Sequence, residues 1–452
     1  MKTRNKISNL INCMYNTLII QDIIIKRKIV LLNSTKKIHN SLGTILFLCV
    51  IFNLIPVAIG GTVIPGLRGT GAYTLLVGLM FGVQTVLIIF YFLFNTQSKI
   101  SKGLLVIFFL FIISQPLTLM IISLKGLHIN NLDYLNIFVR IFTFGTLMLA
   151  LSTLKVSKKG LYTFLKGVII LALIACIYNM VVNFQGIFNI LSVKNPYDVN
   201  FKSFYINRNS FGQLLILGII SNVVIFLDSQ KSKLLLLSFF LFSFNLLATF
   251  SRTALIILLL FTIIFVFFHY RSKLIIGFIM LIPVITFFTV FIINKSLNDF
   301  IFNILIREEA GIANRDDLWL LGIEVLNQNN WIFGVGYHTG IDLLNTKFNN
   351  TQFHNSYIEI LVGGGIFELA LHLTVIIITL KKVLNIIKKD RLVGHVFLSA
   401  FFSIAVYAFF ESITFFSLGY VGSFFTIFFI SLPWLYSNYL DDINNRKIVN
   451  II

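Results

Sequence analysis

Long apolar stretches separated by short polar or basic segments dominate this chain, and the length of each stretch carries more information than any helical or strand period within it. Runs long enough to cross a bilayer lie near residues 42–59, 73–95, 104–123, 135–153, 161–184, 209–227, 234–250, 254–268, 274–293, 355–380, 393–416 and 417–436. About 20 apolar residues in a helix span the hydrocarbon core. The pattern therefore predicts an all-α, polytopic integral membrane protein with about 12 transmembrane helices, an even number that puts both termini on one side. The expected division is a basic N-terminal segment 1–41, transmembrane helices 1–9 over 42–293, a loop 294–354, helices 10–12 over 355–436 and a tail 437–452.

Of the segments opposite the termini, only 185–208 and 294–354 are long. The second, between helices 9 and 10, contains Asn314-Arg-Asp-Asp-Leu-Trp-Leu-Leu-Gly-Ile-Glu-Val-Leu. This stretch predicts an amphipathic helix capped by Asn314, with Asp316 and Asp317 in its first turn and Leu318, Leu321, Val325 and Leu326 on one face. Such a helix either lies over the membrane as a lid or packs on the bundle. No internal repeat is evident, and no matched pair of broken spans points to an inverted-repeat transporter.

Composition and charge sharpen this picture. Of 452 residues, 57% are apolar and only 12% charged, where a soluble domain has about a quarter charged. A soluble enzyme is excluded. The net charge of +19 suggests nucleic-acid binding at first sight, but the Lys and Arg residues sit in short clusters between apolar runs. With the N-terminus inside, the inner segments hold 24 Lys and Arg residues and the outer ones 10. Cytoplasmic loops collect positive charge, so both termini are expected in the cytoplasm and no nucleic acid is expected as partner. The first 40 residues show no apolar core followed by a small-residue cleavage site, so the first span is expected to act as an uncleaved insertion signal. Cys13, Cys49 and Cys176 form no disulfide or zinc pattern.

The expected outer face carries few polar residues, and its best-marked cations stand at helix mouths. Arg208 lies in Asn207-Arg-Asn-Ser-Phe-Gly212, Arg252 in the minimal turn Phe250-Ser-Arg-Thr-Ala254, and Arg315 opens the loop helix. A tight turn between two spans does not require a guanidinium, whose planar fork matches phosphate oxygens two at a time. The alternatives are snorkelling to lipid phosphate for Arg252 and solvated or capping roles for Arg208 and Arg315. Arg140 lies about a turn and a half inside the fourth span, where a cation faces a cavity or snorkels. His354 heads the tenth span, with Tyr357 on the same face and Glu359 deeper. Imidazole suits proton abstraction from a sugar hydroxyl near neutral pH, although a lone loop histidine also serves structural roles. No H-x-x-x-H, no C-x-x-C and no outer Asp-x-Asp occurs, so neither a metal nor another cofactor is expected.

Taken together, Phe250-Ser-Arg-Thr-Ala254, Asn314-Arg-Asp-Asp-Leu-Trp319, Trp331-Ile-Phe-Gly-Val-Gly-Tyr337 and His354-Asn-Ser-Tyr-Ile-Glu-Ile-Leu-Val-Gly-Gly-Gly-Ile366 resemble the O-antigen ligase and Wzy polymerase superfamily. The order and spacing cover about residues 205 to 370. The resemblance implies an inverting, metal-independent glycosyltransferase in the bacterial inner membrane, acting on the extracytoplasmic side with an undecaprenyl-diphosphate-linked oligosaccharide as donor. It assigns Arg252 and Arg315 to the donor diphosphate and His354 to the acceptor hydroxyl. Arg208, Tyr357 and Arg140 are further substrate-binding candidates, and Glu411 is expected to orient a sugar or to pair with an arginine.

Abundant Ile, Asn, Lys and Phe suggest an AT-rich genome, common among Gram-positive bacteria that have no lipopolysaccharide to ligate onto. A polymerase of capsule, exopolysaccharide or O-antigen repeat units is the favoured expectation, with a chain-length regulator and a flippase as partners beside the lipid bilayer. The alternatives are a ligase to lipid A core, transfer onto protein, and a transporter or lipid-linked oligosaccharide flippase. A transporter calls for polar residues at mid-depth along several helices, whereas here only Glu368 stands deep in the tenth span.

Overall fold

The computed structural model describes residues 101–126, 128–188, 201–205, 207–228, 232–270, 315–350, 352–413 and 427–449, with isolated positions before Ser101. The expected span 274–293, all but single positions of 1–100, and the expected cap Asn314 lie outside the described residues.

Every regular element among the described residues is helical. In chain order they are α1 (Lys102–Leu124), α2 (Asn131–Thr153), α3 (Lys158–Val182), the short α4 (Phe184–Phe188), α5 (Arg208–Asp228), α6 (Lys233–Ala248) and α7 (Arg252–His269). After the undescribed stretch come α8 (Arg315–Gln328), α9 (Tyr337–Phe348), α10 (Ser356–Lys389), α11 (Arg391–Tyr407), a π-helical turn (Ile427–Ser431) and α12 (Leu432–Val449). Six of these, α1, α2, α3, α5, α7 and α10, are long and apolar enough to cross a membrane, while α6 and α11 are shorter apolar helices.

Local sequence sets where the helices begin. Ser157 Oγ accepts from Gly160 N at 3.0 Å, Asn130 Oδ1 from Leu132 N at 2.8 Å, and Asn355 Oδ1 from Tyr357 N at 3.0 Å and Ile358 N at 3.1 Å. Each cap satisfies amide groups that the first helical turn leaves without partners. Three boundaries differ from expectation. α10 runs to Lys389, because Lys381, Lys382, Lys388 and Lys389 are good helix formers and the helix leaves the apolar zone before it ends. α11 stops at Tyr407 although its apolar run goes on to 416, and the polypeptide turns there to present Glu411. α12 carries helix through Val449, well into the stretch expected to be a tail.

Both faces of the long helices are apolar, so packing follows size rather than polarity. Val106, Phe109, Ile113 and Met120 of α1 and Ile170, Ile174 and Ile177 of α3 are exposed, as the lipid-facing side of a membrane helix should be. The buried faces admit small and polar residues: Asn179, Asn245, Ser221 and Asn222 are inside. A Cβ on Gly218 would come within 2.9 Å of Ala172 Cβ and 3.2 Å of the Phe242 ring, which shows how closely α3, α5 and α6 approach. α7 packs on α11, α10 lies between α11 and α12, and one large apolar core joins them. A second, smaller core of Leu318, Leu321, Val325, Leu326, Val335, Leu344, Phe353 and Val362 fixes α8 and α9 against the first half of α10. The predicted face of α8 is therefore the buried one, and the helix packs on the bundle.

Candidate active site

α5, α7, α8 and α10 all begin around one carboxylate, that of Glu411. Asn209 in the first turn of α5 donates to Glu411 Oε1 at 2.7 Å, and Arg315, the first residue of α8, pairs with the same oxygen at 3.3 Å. Thr253 in the first turn of α7 lies 3.5 Å from it. Ser356 at the head of α10 donates its hydroxyl to the Glu411 carbonyl at 2.7 Å and receives Ile413 N at 2.8 Å. Ser251 Oγ donates to Asn209 Oδ1 at 2.9 Å and so ties the α7 start to the α5 start. Arg315 also reaches the Phe410 carbonyl. Helix N-termini carry partial positive charge and unpaired amide groups. Four of them meet around Glu411, with Arg208 and Arg252 half-buried at two and Arg315 at a third, an arrangement suited to an anion.

His354 stands beside this cluster, with Nδ1 3.6 Å from Glu411 Oε2. Its backbone is left-handed, at φ 51°, and Phe250, two residues before Arg252, is also left-handed at φ 52°. Such conformations cost about 1–3 kcal/mol each in residues other than glycine and persist only where the surroundings enforce them. The enforcing contacts are present. Phe353 is buried, its N donates to Glu359 Oε1 at 3.2 Å and its carbonyl accepts Trp319 Nε1 at 3.0 Å, while Ser412 Oγ donates to the same Glu359 oxygen. Glu359 thus clamps the residue before His354 and the residue after Glu411. Tyr357 is turned into the bundle, with its hydroxyl on the Ala405 carbonyl at 3.0 Å and its ring 4.5 Å from that of Phe409.

Arg140 belongs to a second polar cluster. It pairs with Glu368, donates to Tyr337 Oη at 2.9 Å and Gln115 Oε1 at 3.2 Å, and sits 3.7 Å above the Tyr337 ring. Tyr337 Oη donates to Glu368 Oε1 at 2.8 Å, and Gln115 Nε2 to Oε2 at 3.1 Å. The deep glutamate of the tenth span is thereby neutralised by the intramembrane arginine, and burial pushes the Tyr337 hydroxyl well above its ordinary range. Around this cluster two glycine motifs interlock. α10 breaks at Gly365, at φ 70° and ψ −174°, and the segment Trp331 to Gly336 docks into the break. Val335 N donates to the Val362 carbonyl at 2.7 Å, Gly336 N to Gly363 at 3.0 Å, Ile366 N to Trp331 at 2.8 Å and Phe367 N to Ile332 at 3.1 Å. A Cβ on Gly365 would meet Ile332 O at 2.2 Å, and one on Gly363 the Tyr337 ring at 2.3 Å. Asp133, at the start of α2, caps α9 by accepting His338 N at 2.9 Å and Thr339 N at 2.8 Å.

The candidates from sequence therefore separate. Arg208, Arg252, Arg315, His354 and Glu411 gather at one end of the bundle, Tyr357 underlies them, and Arg140 serves the other cluster. Asn209, Thr253, Ser356 and Glu359 complete the site and escaped prediction, because their types are common at helix starts and only the fold brings them together. An apolar cavity of about 650 Å³ between α1 and α2, lined by Phe108, Phe142, Gly145 and Leu149 among others, includes none of these polar groups. Among the described residues no three His, Cys, Asp or Glu side chains gather as a metal site.

No curated protein matches the chain. A family model described as O-antigen ligase matches residues 237–373, a stretch that begins in α6 and ends within α10, and includes Arg252, Arg315 and His354. That match supports the O-antigen ligase and polymerase superfamily for this all-α membrane protein.

Proposed function

We propose that this protein is a repeat-unit polymerase of a capsule, exopolysaccharide or O-antigen, transferring glycan from undecaprenyl diphosphate to a sugar hydroxyl of a second lipid-linked unit. The observation that carries the reading is the convergence on Glu411 of four helix starts, three of which open on an arginine, with His354 on the same carboxylate. Arg252 and Arg315 hold the diphosphate, with Arg208 beside them. As the acceptor oxygen attacks the anomeric carbon, the bond to the diphosphate oxygen breaks and its electron pair departs with the phosphate, where arginines and helix dipoles stabilise it. His354 receives the hydroxyl proton. A single displacement inverts the anomeric centre and asks for no metal. The site faces the extracytoplasmic side of the inner membrane, in accord with the charge distribution of the loops.

Polymerase is preferred to ligase on the composition argument above, since both use the same chemistry and differ in acceptor. The test is purified protein in lipid nanodiscs with lipid-linked repeat units. Glycan lengthening with release of undecaprenyl diphosphate is the expected result. Transfer only to lipid A core makes the protein a ligase, and movement of substrate without bond exchange makes it a flippase.

A further inference from the structure

The two carboxylate oxygens of Glu411 are used differently. Oε1 collects Asn209 Nδ2 at 2.7 Å, Arg315 Nη2 at 3.3 Å and Thr253 Oγ1 at 3.5 Å, whereas Oε2 faces His354 Nδ1 at 3.6 Å. His354 Nδ1 is buried and makes no hydrogen bond. Buried nitrogens without a partner are rare in folded proteins and call for an explanation. The gap exceeds a hydrogen bond by a few tenths of an ångström, a distance that a small rotation of the imidazole closes and that catalytic contacts in substrate-free enzymes often show.

We propose that Glu411 is the positioning residue of His354. Its Oε2 accepts a hydrogen bond from Nδ1–H, fixes the imidazole in the Nδ1–H tautomer, and leaves the Nε2 lone pair to receive the acceptor hydroxyl proton. The inference rests on the transferase reading above and deepens it. The proton passes from the hydroxyl oxygen to Nε2 as the new glycosidic bond forms, and the resulting imidazolium stands against the Glu411 carboxylate until the proton returns to solvent. Glu411 is itself held by the starts of α5, α7, α8 and α10, so the anion-binding elements and the base are joined through one side chain. The clamp of Glu359 on Phe353 and Ser412 keeps the two loops in register.

The asymmetry of Glu411 makes Glu411→Gln a sharp test. The three donors on Oε1 hold the amide oxygen at that place, which puts the amide NH2 where Oε2 was, facing Nδ1 with a donor. The variant is then expected to reverse the tautomer, leaving the proton on Nε2 and no lone pair for the substrate. The measurements are 15N NMR of histidine-labelled full-length protein in nanodiscs, with the His354 signal assigned by difference against His354→Gln, and steady-state transfer kinetics. Wild type should show Nδ1 protonated and Glu411→Gln should show Nε2 protonated. kcat should fall on the order of 100-fold, with the donor KM changed less than about twofold. Glu411→Asp, which keeps the charge and the Arg315 pair, should restore Nδ1 protonation and about tenfold of the lost kcat. An unchanged tautomer in Glu411→Gln, a loss confined to KM, or an Asp variant no better than Gln overturns the proposal. Should Glu411→Gln not accumulate as folded protein, a His354 proton on Nε2 in the wild type overturns it alone. Absence of glycan transfer by the wild type defeats the polymerase reading, while the tautomer still decides the role of Glu411.

Discussion

α10 passes through two polar clusters that follow opposite rules. Around Glu368 the partners are complete: Arg140, Tyr337 and Gln115 occupy both carboxylate oxygens, and His372 Nδ1 lies 2.9 Å from the Glu368 carbonyl. Around Glu411 they are not. His354 Nδ1 is left without a hydrogen bond, two residues are left-handed, and four helix starts converge on one carboxylate. A saturated buried cluster holds structure, since each member already has what it needs. An unsaturated and strained one has something left to give a ligand. On this ground Glu368 and its partners hold the loop on the bundle, and the Glu411 cluster is the one we propose as the working site.

The comparison breaks first at His354. His354→Ala is expected to lower kcat about 10³-fold while thermal stability in detergent changes little, because alanine keeps the Cβ and the left-handed strain and His354 Nδ1 has no hydrogen bond to lose. A kcat within tenfold of wild type removes His354 from the chemistry. Glu368→Ala should do the reverse. Leaving Arg140 buried and unpaired costs about 3–5 kcal/mol, so the folded yield and melting temperature should drop. The double substitution Arg140→Met with Glu368→Leu should recover most of that stability together with activity per folded molecule. Inactivity of the well-folded double variant would make the second cluster part of the reaction.

Arg252→Lys sharpens the contrast further. It keeps the charge but loses the two-pronged geometry, and a loss of about 10²-fold in transfer at normal expression is expected. Full-length polymer from a deletion strain carrying this variant contradicts the diphosphate role. The smallest effect belongs to the exposed pair Lys347–Glu324, 2.9 Å apart. Its hydrogen bond from Lys347 holds the Glu324 carboxyl below the ordinary range, so whatever stability it adds is present at neutral pH and is lost as pH falls through that lowered value. Lys347→Ala should leave transfer and melting temperature unchanged at pH 7.

Much of the bundle was legible because membrane insertion is governed by local quantities. Eight of the expected runs, from 104–123 to 393–416, coincide with helices, and the buried face of α8 is the predicted one. α9 was not foreseen. Its first residue follows Gly336 at φ 84°, and its cap is Asp133, some two hundred residues earlier, which no local motif announces. The break at Gly365 was equally hidden. Gly363-Gly-Gly365 lies in an apolar run that reads as uninterrupted helix, and only the docking of Trp331 to Gly336 supplies hydrogen bonds to the freed backbone. Arg140 and Glu368 each read as an intramembrane charge, yet the sequence does not state that they pair.

By itself the sequence determined the class of protein, the positions of the described apolar helices, the family resemblance and the candidate residue types. These follow from run length, charge and short motifs, which are properties of neighbours along the chain. The tertiary structure alone decided which charges cancel and which remain available. Arg140 and Glu368 neutralise each other because α2 and α10 meet inside the bundle, whereas Arg315, Asn209, Thr253 and His354 share Glu411 because four helices begin at the same end. Electrostatic balance depends on distance in space, and residues hundreds of positions apart acquire that distance only when the bundle packs.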